Sequence, residues 1–187
     1  ESIKKDTKNS GHKKFINETE ILDLLQVIDG SKEDENLLGF LDYDKIKEGK
    51  MCRHMVMVLP YCASCDAMEE LLSKRKGTFK NLGQYEIINI SGVDAGRLYK
   101  KPGDIKNKIK ECEASNKKTI TLTVNRMLTG STVEQWDTML YFKDTSSPQE
   151  YDQSIFRLQN QYVRTLSSAK GFIKENLKPQ TLLVDFD

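Results

Sequence analysis

The spacing of apolar positions shifts repeatedly along this chain, and each shift marks an element. Across residues 17–30 (NETEILDLLQVIDG), Ile21, Leu24, Leu25 and Ile28 recur at helical spacing, with Asn17 as N-cap and Gly30 as the stop. ENLLGFLDYDKI comes next as a short helix or edge segment that packs Leu37, Leu38, Phe40 and Leu41. His54–Pro60 (HMVMVLP) is apolar without interruption, the pattern of a strand buried on both faces in the middle of a parallel sheet. SCDAMEELLSKR then reads as a helix: Ser64 as N-cap, carboxylates early, Lys74 and Arg75 late, in accord with the helix dipole. Tyr85–Ile90 (YEIINI) is a second strand, closed by Ser91 and Gly92. DIKNKIKECEAS is a surface helix with Asp104 as N-cap and Ile105, Ile109 and Cys112 turned inward.

The stretch from Thr119 to Gln161 organises the rest. TITLTV alternates β-branched residues as a third strand, the chain breaks at Thr129-Gly130, and TMLYF is a fourth strand. PQEYDQSIFRLQNQYV is a helix with Pro in its first turn. It is expected to bury Tyr151, Ile155, Phe156 and Leu158 and to hold Gln153 and Arg157 on one face. TLLVDFD is a fifth strand. Strands alternating with helices, and no hairpin signal, predict a parallel α/β sheet wrapped in helices. Ligands of such sheets sit at the carboxyl ends of the strands, where Tyr61–Ser64, Ser91–Gly92, the 125–132 loop and the start of the last helix fall. A strand, a glycine loop, a strand and then a helix with a lone arginine can bring a cation to a phosphate.

Composition narrows the class only a little. The 187 residues are 37% hydrophobic and 30% charged, enough for one sizeable domain, and 29 basic against 28 acidic residues leave a local basic groove open. No apolar run reaches the roughly 18–20 residues of a membrane span and no signal peptide opens the chain. A chain beginning at Glu1 is expected to be a processed form or a piece of something longer. Residues 1–15 are basic and polar, a flexible start or one docked on a neighbour. Four cysteines are too few and too irregular for a disulfide scaffold, so a reducing cytoplasm is expected.

Each chemical candidate has a bland counterpart. Cys62 and Cys65 have the spacing of half a zinc site or a redox pair, but Cys112, His12 and His54 offer no second pair. Small residues at a strand–helix junction are the better account. His54 enters a buried strand and reads as structural. No nucleophile elbow, phosphate-cradling P-loop or metal-holding Asp-Glu box is present. Gly130 alone is a turn glycine, and Gln153 with Arg157 alone is a solvated helix face. Their order and spacing together change the odds.

TVNRMLTGSTVEQWDTMLYFKDTSSPQEYDQSIFRLQNQ resembles motifs V and VI of superfamily-two helicases and DNA translocases, in particular the helicase-like motor of restriction enzymes. Those carry a T-v-x-R-x-x-x-G loop, a W-D-x-v-l strand and a Y-x-Q-x-x-x-R helix in that order. HMVMVLPYCASCDAMEELL occupies the place of motif IV, and YEIINISG that of the next strand and glycine. The resemblance implies a three-layer, parallel-sheet, RecA-like second lobe over residues 51–187, preceded by lead-in helices at 17–50 and the basic start at 1–16. It implies ATP with Mg2+, bound mainly by a first lobe of the same polypeptide that carries the P-loop and Asp-Glu box. Arg157 matches the arginine that reaches the γ-phosphate, Gln153 the motif VI glutamine, and Gly130 the motif V glycine near the nucleotide. Backbone contacts to DNA fall on Tyr61, Ser64, Ser91, Gly92, Thr123, Asn125 and Arg126. Two positions depart from the pattern: Thr132 stands where many relatives have Asp in the nucleotide site, and Asn160 where many have a second arginine, a role left to Arg157 alone or to Arg164.

The expected function is therefore the second motor lobe of an ATP-dependent DNA helicase or translocase, part of a restriction–modification enzyme. Nuclease or methyltransferase domains are further partners, and a membrane is not. The fragment alone is expected to be inactive. The competing reading is a degenerate helicase-like lobe serving as scaffold or protein-binding module, and a more distant one is a small redox protein built on Cys62 and Cys65.

Overall fold

The computed structural model describes residues 3–5, 13–32, 39–93, 99, 101–124, 133–143, 147–169 and 171–186. Its centre is the strand the apolar run predicts, β3 (His54–Leu59), preceded by a small antiparallel ribbon of β1 (Ile3–Lys5) and β2 (Lys13–Phe15). β3 is flanked by β5 (Lys118–Val124) and β6 (Thr138–Tyr141), and the sheet is completed by β4 (Tyr85–Asn89) outside β5 and β9 (Leu182–Asp185) outside β6. The order is β4-β5-β3-β6-β9, and every pair is parallel.

Because β3 is covered on both sides, both of its residue sets are apolar. Met55, Met57 and Leu59 face α1 (Glu18–Asp29) and α3 (Cys62–Lys74), joined there by Leu25, Met68 and Leu71. Val56 and Val58 face α4 (Pro102–Ala114) and α5 (Pro148–Leu158), together with Ile105, Ile109, Trp136 and Leu158. Helices on both faces of a parallel sheet give the expected three-layer α/β architecture. The polar threonines that alternate on β5 are all buried, and each has a partner: Thr119 the His54 ring, Thr121 the Trp136 indole, Thr123 the Ser91 hydroxyl.

Local expectations are met unevenly. Gly30 stops α1 in a left-handed conformation (φ 77°), and Ser147 caps α5 by accepting from the Glu150 amide, with Pro148 at the first helical position. Asn17 holds the N-cap position of α1 without a capping hydrogen bond. α3 begins earlier than its sequence suggests, at Cys62, so Ser64 lies buried in the first turn rather than capping it. In α4 the cap position is Lys101, and Asp104 reaches back to accept from the Lys101 backbone N–H at 2.9 Å. ENLLGFLDYDKI yields a 3-10 turn with Phe40 and Leu41 buried, then the short α2 (Asp44–Lys47); Leu37 and Leu38 lie outside the described residues.

Two larger corrections fall after α5. The helix ends at Leu158 rather than running on to Val163, and Phe156 is 68% exposed rather than buried. The chain then forms an antiparallel hairpin of β7 (Val163–Ser168) and β8 (Gly171–Asn176), where no hairpin was expected. The Asn160 side-chain amide donates to the Arg157 carbonyl at 3.2 Å, which closes the helix end instead of continuing it. Among the described residues no helix is long and apolar enough to cross a membrane.

Candidate functional site

The ends of the five parallel strands assemble the carboxyl edge. After β3 the chain turns through Pro60 to Tyr61, whose side chain is 60% exposed. After β4 it turns at Ser91 and Gly92, where Asn89 organises the loop: its Oδ1 accepts from the Ser91 and Gly92 amides at 3.3 and 2.8 Å. Its Nδ2 donates to Asp66 and Glu69 of α3, and Asp66 also accepts from the Val93 amide at 3.2 Å. A Cβ on Gly92 would overlap Asp66 Oδ1 and lie 2.6 Å from Asn89 Nδ2, so a larger residue there would have to turn these two side-chain ends away. After β6, Lys143 pairs with Glu150 in the first turn of α5 at 2.8 Å.

The predicted nucleic-acid residues therefore divide by exposure. Tyr61 stands out at the edge, while Ser64, Ser91 and Thr123 are buried. The Ser91 hydroxyl lies 3.1 Å from that of Thr123 and accepts from the Val124 amide at 3.2 Å, so this pair ties the ends of β4 and β5 together. Asn125, Arg126, Gly130 and Thr132 lie outside the described residues.

Gln153 and Arg157 share a face of α5, as their spacing predicts, with Gln153 exposed and Arg157 half-buried. The helix starts at the carboxyl edge and runs back along the sheet. Eleven residues carry it about 16 Å at 1.5 Å per residue, so Arg157 arrives at the amino edge, away from Tyr61 and Ser91. Its position there is fixed by Lys178, a buried residue whose ammonium donates to the carbonyl oxygens of Leu158 (2.9 Å) and Trp136 (3.0 Å). Burial lowers the Lys178 pKa. Arg164 is engaged elsewhere, in a 2.7 Å ion pair with Glu175 across the exposed hairpin.

Beside this helix end runs a chain of groups that sequence reasoning reached only at His54. His54 Nδ1 lies 2.9 Å from the Thr119 hydroxyl and Nε2 3.2 Å from Glu113 Oε1, and the Tyr162 hydroxyl donates to the other Glu113 oxygen at 2.8 Å. Burial, the largest single influence, would raise the Glu113 pKa, but these two hydrogen bonds together with the charges of His54 and Arg53 hold the carboxyl below its ordinary value. Burial and the same carboxylate push the Tyr162 phenol up to about 12. Asp137, buried at the start of β6, accepts from the Arg53 amide (2.8 Å) and the Thr138 hydroxyl (2.9 Å); burial raises its pKa.

The cysteines are all free, with Cys62 exposed and Cys52, Cys65 and Cys112 buried. Burial pushes the Cys65 thiol up to about 12, far from the activated range of redox motifs. Among the described residues no group of His, Cys, Asp or Glu is placed to hold a metal ion.

Compared with known proteins, the chain is 31% identical over 162 residues to the C-terminus of a protein of Mycoplasma pneumoniae (strain ATCC 29342 / M129 / Subtype 1) assigned as a type II restriction enzyme and methyltransferase. The match takes in 84% of this chain but only 21% of that relative. No family model matches. Among solved structures, the C-terminal part of the Fun30 ATPase domain aligns over 80% of this chain and 39% of its own, at 14% identity and a TM-score of 0.44.

Lys178, Glu113 and Tyr162 were not legible as site residues, because each finds its partner far along the chain, and Asp137, read only within the W-D strand, meets the Arg53 amide 84 residues away. The KPQ in which Lys178 stands carries no signal beyond a proline that breaks the preceding strand.

Proposed function

We propose that this chain is the second, RecA-like motor lobe of an ATP-dependent DNA helicase or translocase within a restriction–modification enzyme. The observation that carries the reading is Arg157: a guanidinium on the last turn of α5, in a motif VI-like sequence, at a helix end clamped by Lys178 and closed by Asn160. The similarity to a relative assigned as a restriction enzyme and methyltransferase supports the same setting. Arginine suits the task because it stays charged and offers a planar fork of donors to a phosphate.

In this reading a first lobe would hold ATP and Mg2+, and ATP would supply the γ-phosphoryl group that passes to water. This chain's part is to hold Arg157 toward the γ-phosphate, with Gln153 one turn earlier and Gly130 and Thr132 lining the nucleotide side. DNA runs over the carboxyl edge, met by the Tyr61 ring and by Asn125 and Arg126. Ser64, Ser91, Gly92 and Thr123 shape that edge from beneath, with the amides of Ser64, Ser91 and Gly92 engaged within the chain. These contacts address phosphates and are indifferent to base sequence. A nuclease or methyltransferase domain and the first lobe are the intramolecular partners.

The test is Arg157→Ala in the full-length enzyme. DNA-stimulated ATP hydrolysis is expected to fall at least about 1,000-fold, the usual weight of an arginine finger, while ATP still binds. Unchanged turnover refutes the role of Arg157. A second reading, a non-catalytic scaffold, is favoured by one observation: Asn160, in the place of a second arginine, spends its side chain on the helix carbonyls. Full-length protein that binds DNA yet hydrolyses no ATP with Arg157 intact would establish that reading instead.

A further inference from the structure

We propose that the amino edge of the sheet carries a phosphate-binding site, built from Arg53, Gln84, Asn116, Lys117 and Lys118 around a cleft of about 500 Å³. It lies at the opposite end of the strands from Tyr61 and stands independently of the helicase reading.

The topology brings these groups together. Arg53 immediately precedes β3, Gln84 precedes β4, and Lys118 is the first residue of β5, so three neighbouring parallel strands begin around one cleft. Tyr85 pairs with Lys118 and His54 with Thr119, which fixes the relative height of all three starts.

The charges are only partly matched within the chain: Glu113 lies near enough to Arg53 for the guanidinium to lower its pKa, and Asp137 acts on Lys118 from the start of β6, but neither forms an ion pair with them. Among the described residues the Arg53 guanidinium has no carboxylate within ion-pair distance. Lys117 reaches Glu86 only at 4.0 Å, and the Lys118 ammonium has a 3.4 Å contact with the Ile46 carbonyl while lying 5.6 Å from the centre of the Tyr85 ring. Glu48, the carboxylate of the lining, is drawn to Lys50 at 2.5 Å. Burial depresses the Lys118 pKa and the neighbouring Arg53 adds to the effect, while Cys52 and Asp137 oppose it. Like charges crowded at partial burial favour occupation by an anion.

The backbone supplies a second observation. Cys52 (φ 53°) and Asn116 (φ 54°) are the non-glycine residues of positive φ among the described residues, and each directly precedes a cation of the cleft. Asparagine tolerates this conformation, but a buried cysteine rarely adopts it; here the Tyr85 hydroxyl holds it by donating to the Cys52 carbonyl at 2.5 Å. Strain of this kind persists where the surroundings over-determine it, commonly at ligand sites. Here it aims Arg53 and Lys117 from adjacent strand starts. An arginine fork, two ammonium groups and the Asn116 amide match the oxygens of a phosphate, while the Gln84 amide already donates to the Lys80 carbonyl at 2.9 Å. That phosphate can belong to a free oligophosphate or to a nucleic-acid backbone.

The test is NMR on the isotopically labelled 187-residue chain at low salt, titrated in parallel with inorganic pyrophosphate and with a short blunt DNA duplex. Saturable shifts of the Arg53, Asn116 and Lys117 amides are expected with at least one titrant. Pyrophosphate alone would identify a free-phosphate site, the duplex alone a backbone site, and both a site for the phosphate group itself. The double variant Arg53→Ala, Lys117→Ala is expected to weaken binding about tenfold. If that variant does not fold, Lys117→Glu, on an exposed side chain, is expected to give the same loss or more. No saturable shift at these amides with either titrant, or an affinity unchanged in the folded variants, overturns the proposal.

Discussion

The buried ammonium of Lys178 donates at 2.9 Å to the carbonyl oxygen of Leu158, the last residue of α5. A helix ends in carbonyls without intrahelical partners and carries partial negative charge there, so a cation is the matching partner. The same ammonium holds the Trp136 carbonyl at the entrance to β6, which joins the end of α5 to the sheet. Lys178→Met keeps the length and removes the donors, stranding two carbonyls. It is expected to lower stability by roughly 2–3 kcal/mol in urea unfolding and to lose hydrogen-exchange protection first around residues 156–160. On the proposed motor-lobe reading, a role in holding Arg157 predicts that this variant in a full-length enzyme lowers kcat for DNA-stimulated ATP hydrolysis while KM for ATP stays unchanged. A loss of stability with kcat intact would confine Lys178 to the fold.

The Glu113 carboxylate gives the amino edge a pH dependence of definite sign. Its folded pKa is held below the ordinary 4.5 by hydrogen bonds from His54 and Tyr162, against the opposing pull of burial. A carboxyl with a depressed pKa contributes stability above its unfolded pKa and loses it as pH falls through the folded value. Glu113→Gln removes that charge. The stability gap between wild type and variant, measured by urea unfolding, is therefore expected to be largest near neutrality and to close as pH drops below the ordinary 4.5. Asp137 runs the other way, since burial raises its pKa, so the comparison must be made between the two proteins and not on one curve. A gap that stays constant with pH would show that Glu113 works by packing alone.

The turn after β4 predicts a third outcome. Gly92 sits against the side-chain ends of Asp66 and Asn89, which a Cβ would displace, and those side chains hold the Gly92 and Val93 amides. Gly92→Ala must push Asp66 away and break its hydrogen bonds, a loss of about 1–2 kcal/mol. Asp66→Ala already lacks the obstacle, so adding Gly92→Ala to it is expected to cost less than adding it to wild type. Additive effects in this double-mutant cycle would refute the contact.

How much of the molecule was legible in its sequence depends on how strongly a core imprints on each element. β3 announced itself because burial on both faces forces every position to be apolar, and Ile105, Ile109 and Cys112 because one helix face is turned into the protein. The β7–β8 hairpin left no such imprint. Solvent reaches both of its faces, with Phe172 81% exposed, so its residues carry no burial alternation to read, and Gly171 at φ 116° was its main local signal. The site divided in the same way. Tyr61 and Ser91 lie at strand ends and could be placed from the alternation of elements. Arg157 reaches the other edge because α5 runs back along the sheet, and its brace, Lys178, lies 20 residues beyond Leu158 in a loop without a pattern.

Gln135 supplies the last prediction. It is 2% exposed, and both atoms of its side-chain amide lack a hydrogen-bond partner among the described residues. Burying such a group unpaired costs about 1–3 kcal/mol, so a native chain that keeps it retains a defect that an apolar residue of similar shape removes. Gln135→Met is accordingly expected to raise stability by about 1 kcal/mol, read as a higher urea midpoint at unchanged slope. A polar group that meets this amide, just ahead of β6, only in the assembled enzyme would give it a role. That role predicts a trade: the Met variant gains stability as an isolated chain and loses DNA-stimulated turnover in the full-length protein. A gain in stability with turnover intact would show the amide to be a tolerated defect, and a loss of stability would show that it is satisfied by bound water.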